Sequence, residues 1–164
     1  MQIAACVKNA GPSHEVSVTT AGNTQHVAVP TKNSGHGSAV SGGEFLMLAL
    51  ATCFCNDIYR EAARLKIQVD AVEVEAEGDF DGVGLAATNI RYRAHIASPA
   101  TDDQVATPMR KTDDVAEVHN TVRSGASALL GRGENPVRES RVGARYSRAS
   151  PGVTRYMRRV QVAP

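Results

Sequence analysis

The sequence predicts an α+β fold in which antiparallel strands surround one long, buried helix. Three observations carry this. Residues 44–66 contain neither Gly nor Pro and open with an 11-residue run, 45–55, that is apolar on every side of a helix. Residues 14–29, 67–77 and 89–97 alternate apolar and polar at the period of a half-covered strand. At 164 residues the chain is long enough for one domain with a single core.

Taken in order, residues 14–29 form a hairpin. Val16 and Val18 alternate with polar neighbours, Ala21-Gly22-Asn23 makes the turn, and Val27 and Val29 resume the pattern. The residues before it are expected to be a mobile N-terminus. Pro30 ends the hairpin, and 30–43 is a loop rich in Gly and Ser. Ser41 and Glu44 make a capping box, with Ser as N-cap and Glu three positions on. The helix they open is expected to run to Lys66, buried all round as far as Cys55. Beyond that it becomes amphipathic, with Ile58, Ala62 and Leu65 on one stripe. The strands at 67–77 and 89–97 are expected to pair, the second presenting Ile90, Tyr92, Ala94 and Ile96 on one face. Thr101 and Gln104 form a second capping box for a short helix that Pro108 should break. Asp113 or Asp114 then caps a last helix in which Val115, Val118 and Val122 share a face, stopped by Ser124-Gly125.

Charge divides the chain. Residues 1–130 carry a formal −5 and residues 131–164 a formal +6, the latter from eight Arg, no Lys and two Glu. The expected organisation is one domain over 1–130 and an Arg-rich extension over 131–164. The extension reads as a solvated tail, a contact for an anionic surface, or an artefact of translation; it has only Tyr146 and Tyr156 as aromatics, so specific nucleic-acid recognition is not expected. No apolar stretch reaches the roughly 20 residues of a membrane span, no leader is apparent, and three cysteines are an odd number for disulfides. A cytoplasmic protein with reduced thiols is expected.

The string Gly43-Glu44-Phe45-Leu46-Met47-Leu48-Ala49-Leu50-Ala51-Thr52-Cys53, followed by VEVEAEGDF and IRYRAHIASPA, resembles the OsmC/Ohr family across about 14–125. The resemblance implies an intertwined homodimer and a peroxidatic cysteine at Cys53. It also implies thiol-dependent reduction of organic hydroperoxides. The family adds a resolving cysteine on a later helix, an Arg from the N-terminal hairpin region and a Glu before the central helix. Here His119 is aligned with the second cysteine, residues 1–59 hold no Arg, and Gly43 takes the Glu position with Glu44 one place off.

The catalytic candidates are therefore Cys53, His119 and Glu44. Cys53 lies about three turns into its helix, beyond reach of that helix's own dipole, so a reactive thiolate needs help from Lys32, His36, His119 or a partner's Arg. An imidazole at His119 would activate it; the plainer reading of His119 is a packed core or interface residue. Cys55 points about 200° away from Cys53 on a helix, so the two cannot pair. Cys6 could resolve Cys53 only if its segment reached the helix. The five His show no ligand spacing, and Gly35-His36-Gly37 lacks a phosphate-loop signature, so neither metal nor cofactor is expected. Two functions follow. One is a hydroperoxide reductase in which Cys53 forms a sulfenic acid and an external thiol restores it, with Phe45, Leu46, Leu50 and Phe54 favouring alkyl peroxides. The other is a non-catalytic member that binds a small apolar ligand at the dimer interface.

Overall fold

The structure, a computed structural model, describes residues 1–130; the expected extension from 131 onward lies outside them. The element order is β1 (Ile3–Ala10), β2 (Ser13–Thr20), β3 (Asn23–His26), α1 (Gly42–Arg64), β4 (Ala71–Asp79), β5 (Thr88–Ala97), α2 (Asp102–Val115) and α3 (Glu117–Ser124). The α+β class, with antiparallel sheets and a long central helix, is as the sequence predicts.

Two sheets form. In the first, β1, β2 and β3 lie in sequence order, each antiparallel to the next. The residues expected to be a mobile N-terminus are β1, paired with β2 from Ile3↔Thr20 to Ala10↔Ser13. Gly11-Pro12 closes that hairpin, with Gly11 at φ 59, a conformation glycine takes without strain. Ala21 and Gly22 close the next at φ 48 and 85, the double positive φ of a tight hairpin turn. Every residue of β1 is exposed.

In the second sheet β4 pairs with β5, placing Val72 opposite Ile96 and Val74 opposite Ala94. The strand begins at Ala71 rather than Ile67 because the alternation slips phase there. Val72, Val74 and Ala76 are half-buried, while Ala71 faces out.

Helix α1 packs on β4, α2, α3 and β5. Its capping box is formed as expected: Ser41 Oγ accepts from the Glu44 N–H at 3.2 Å and Glu44 Oε2 accepts from the Ser41 N–H at 2.7 Å. Its core-facing stripe is Leu50, Phe54, Asp57, Ile58, Glu61 and Ala62. The apolar first half is less covered than its composition suggests, with Leu48 56% exposed. Cover is instead deepest in the second half, which includes two carboxylates. No described helix is long and apolar enough to cross a membrane.

Pro108 does not break α2. It is buried within a continuous helix that begins at the expected Thr101–Gln104 capping box. The break comes at Ala116, whose ψ of 105° is extended, and α3 starts at Glu117 without a side-chain cap from Asp113 or Asp114. Consequently the buried line is Thr112, Ala116 and His119 rather than the valines. Gly125, at φ 62, ends α3 in the left-handed conformation.

Candidate functional site

Cys53 lies on α1 where the start of α3 reaches it. The thiol is half-buried and packs against a cluster of Phe54, Ile58 and Ala116. One turn on, Asp57 Oδ2 accepts from the Sγ–H at 3.7 Å. From α3, the Val118 backbone N–H comes close enough to draw the thiol's pKa down. Sγ and carboxylate oxygens of Asp57 and Glu117 all lie within 4.8 Å of one another.

The electrostatics follow from this arrangement. Burial pushes the Cys53 thiol above its ordinary range, the Val118 N–H draws it down, and the charges of Asp57 and Glu117 push it up again. Burial also raises the Asp57 carboxyl, which Arg60 partly offsets. Arg60 Nη1 binds Asp57 Oδ1 at 2.6 Å, its Nε lies 3.3 Å from Glu61, and Arg64 binds Glu61 at 3.0 Å. Cys53 therefore sits among carboxylates, and the cations beside it are already engaged. The Val118 N–H, in the first turn of α3 where backbone N–H groups lack helical partners, partly supplies the expected cation's role by drawing the thiol's pKa down.

His119 is 2% exposed and packs between aromatic rings. Its ring centroid lies 4.3 Å from Tyr92 and 5.4 Å from Phe54. Neither ring nitrogen has a hydrogen-bond partner, so no bond joins it to Cys53. Burial lowers its basicity, and Arg123 lowers it further. Beside it, Tyr92, Asp113 and Arg123 form a closed network: the Tyr92 hydroxyl donates to Asp113 and accepts from Arg123, and Arg123 binds Asp113 at 2.6 Å. Burial and Asp113 push the Tyr92 hydroxyl up to about 12. This network ties β5, α2 and α3 together and so fixes the elbow that delivers Glu117 and Val118 to Cys53.

Glu44 stands apart. It is exposed, and its hydrogen bonds to Ser41 hold its carboxyl below the usual range. It lies nine positions before Cys53 on α1, about 13 Å along the axis. The structure thus brings Cys53 and the α3 start together, while Glu44 serves the N-terminus of its own helix. Lys32 and His36 are exposed, and neither bonds to Cys53. Cys6, Cys53 and Cys55 are all free thiols.

Asp57, Glu117 and the Val118 N–H escaped the sequence reading. The i, i+4 line Cys53-Asp57-Glu61 was visible, but charges on a helix ordinarily mark its wet face. As metal donors, Cys53, Asp57 and Glu117 fall one short of a tetrahedral set, and Asp57 is held by Arg60. Two cavities of about 640 Å³ open elsewhere. One lies by the start of α1, walled by Gly43, Glu44, Met47, Ala76 and Phe80. The other runs between β5 and α2 over Phe54, Tyr92 and Met109. Of the four apolar residues expected to line a peroxide pocket, Phe54 alone borders either of these two.

A family model described as OsmC-like protein matches residues 35–128. Among solved structures, an OsmC-like protein from Mycoplasma pneumoniae superposes with a TM-score of 0.52 at 16% identity, over 74% of this chain and 86% of its own. An organic hydroperoxide resistance protein from Legionella pneumophila gives 0.50 at 18% identity, over 75% and 90%. One from Elizabethkingia anophelis, crystallised with thiocyanate, gives 0.51 at 16% identity, over 75% and 89%. At these identities the structural likeness concerns the fold. No curated protein matches in sequence.

Proposed function

This chain belongs to the OsmC-like family, and on that premise we propose that it is a thiol-dependent organic hydroperoxide reductase of low intrinsic reactivity, with Cys53 as its redox thiol. The observation that carries this reading is a free, half-buried thiol on α1 met by the start of α3, at Ala116 and Glu117, where the Val118 N–H draws its pKa down. Among the described residues that N–H is the group that favours thiolate over thiol, and thiolate is the form that attacks peroxides.

In the reaction, the Cys53 thiolate attacks a peroxide oxygen. An S–O bond forms as the O–O bond breaks, the sulfur is oxidised to sulfenic acid, and the peroxide leaves as an alkoxide that takes up a proton. Two molecules of an external thiol then return the sulfenic acid to thiol, releasing their disulfide and water. An external reductant is required because Cys55 lies on another side of α1 and Cys6 sits in β1, paired with Ser17. His119 contributes packing to this scheme, and Glu44 the start of α1.

The self-associated form belongs to the same proposal. Ile3 and Val7 of β1 are 67% and 59% exposed, and Leu48 of α1 is 56% exposed. Packing of the β1–β3 sheet on the other elements is slight at most. Apolar surfaces of this kind are commonly covered by a partner, here a second copy.

The second reading, binding of a small apolar molecule, is favoured by the cavity beside Met47, Ala76 and Phe80 and by the raised pKa of Cys53. Consumption of cumene hydroperoxide with dithiothreitol as reductant separates the two. The first reading expects turnover that rises with pH and is lost in Cys53→Ser. Equal consumption by wild type and Cys53→Ser would leave the binding reading in its place.

A further inference from the structure

The charges around Cys53 do not cancel. Helix α1 contributes Asp57 and Glu61 together with Arg60 and Arg64, and these are tied to one another by ion pairs of 2.6 to 3.3 Å. Helix α3 adds Glu117, which makes no ion pair among the described residues. Its carboxylate lies within 4.8 Å of Sγ and of Asp57. Unlike Asp57 and Glu61, Glu117 is exposed, so its charge is presented to solvent within that distance of the thiol. The Tyr92–Asp113–Arg123 network nearby is closed on itself, with its own acid and base paired.

We propose that Glu117, backed by Asp57, selects the reagents of Cys53 by charge, admitting neutral and cationic hydroperoxides and thiols and turning anionic ones away. This rests on the reading that Cys53 is a reactive thiol, and it goes further by naming the charge class of both co-substrates. The magnitude follows from Coulomb's law. Even with water-like screening, one net negative charge about 6 Å from the charge carried by a reagent separates reagents of charge +1 and −1 by about tenfold. That gap should fall with ionic strength, because the screening length shrinks from about 10 Å at 0.1 M salt to about 3 Å at 1 M. Carboxylate-bearing thiols and peroxidised fatty acids with a free carboxylate would be poor partners. Neutral alkyl hydroperoxides and uncharged dithiols would be good ones.

The test uses the full chain carrying Cys6→Ser and Cys55→Ser. Its Cys53 is modified by three methanethiosulfonates, bearing an ethylammonium, an uncharged hydroxyethyl and an ethylsulfonate group. Each rate is divided by that reagent's rate with N-acetylcysteine amide. At low salt the ammonium reagent should lead the sulfonate by about tenfold or more. The lead should close to within about twofold in 1 M salt. It should also shrink in Glu117→Gln and reverse in Glu117→Lys, with circular dichroism establishing that both variants are folded. Equal normalised rates in the parent, or a lead untouched by Glu117→Gln, would overturn the selection. Failure of all three reagents would instead strike the reading of Cys53 as a reactive thiol, and the selection would fall with it.

Discussion

At Cys53, burial and two carboxylates act on the thiol in one direction while the Val118 N–H acts in the other. Replacing Glu117 by Gln removes one upward push without disturbing a buried contact. Cys53 in that variant should titrate at lower pH, and at pH 7.5 an uncharged alkylating reagent should react faster than with wild type. An unchanged rate would mean that the Glu117 charge does not reach the sulfur. His119 sets a separate pH dependence. Its folded-state basicity lies below the ordinary value of 6.5, so the unfolded chain binds a proton more readily than the native one. Its stabilising contribution is complete above about pH 6.5 and is lost as pH falls below it. Urea midpoints measured between pH 7 and 5 should therefore decline in wild type and decline less in His119→Phe, which keeps the ring stacking on Tyr92 and Phe54. Equal slopes would remove His119 as the cause. Cys53 was legible in the sequence because a local string leads into it. Its carboxylate neighbours were not, because Glu117 approaches through a fold contact more than sixty positions along the chain.

Among the elements, α1 is held by Leu50, Phe54 and Ile58, each nearly or wholly buried. Phe54 touches three layers at once, packing on Tyr92 from β5 at 5.0 Å and His119 from α3 at 5.4 Å, within a cluster that includes Ala116. Phe54→Ala should therefore cost about 3–5 kcal/mol, the usual range for emptying such a site, read as a shifted denaturant midpoint. A loss below about 1 kcal/mol would show that the site collapses around the gap. Both capping boxes were readable because each is a four-residue pattern satisfied within itself. The α2–α3 boundary was not. Pro108 signals a break that the buried packing of α2 overrides, and the real break at Ala116 has no local marker. Strand β1 was missed for a similar reason: IAACVKNA is only weakly patterned, and its Gly11-Pro12 turn was the available signal.

For the molecule as a whole, the sequence conveyed the class and the central helix but not how unevenly that helix is covered. An apolar run such as 45–55 implies burial without saying what supplies it. In one chain Leu48 remains exposed, as do Ile3 and Val7. A homodimer that covers these faces should sediment as such at micromolar concentration. Leu48→Glu, which puts a charge on the uncovered side of α1, should shift the population toward monomer while leaving helix content unchanged. A wild-type chain that stays monomeric throughout would refute the self-association and leave the apolar faces in need of another partner.

The claim that Cys53 is a redox thiol held mostly protonated is tested most directly by its alkylation rate as a function of pH. The chain would carry Cys6→Ser and Cys55→Ser, and the series would be repeated after cumene hydroperoxide treatment. The account predicts a rate that climbs with a midpoint above the ordinary thiol value of 9.0, blockage by the peroxide, and recovery with a dithiol. A midpoint below that value would contradict the carboxylate-dominated site. A thiol that peroxide leaves fully alkylatable would contradict the redox role itself.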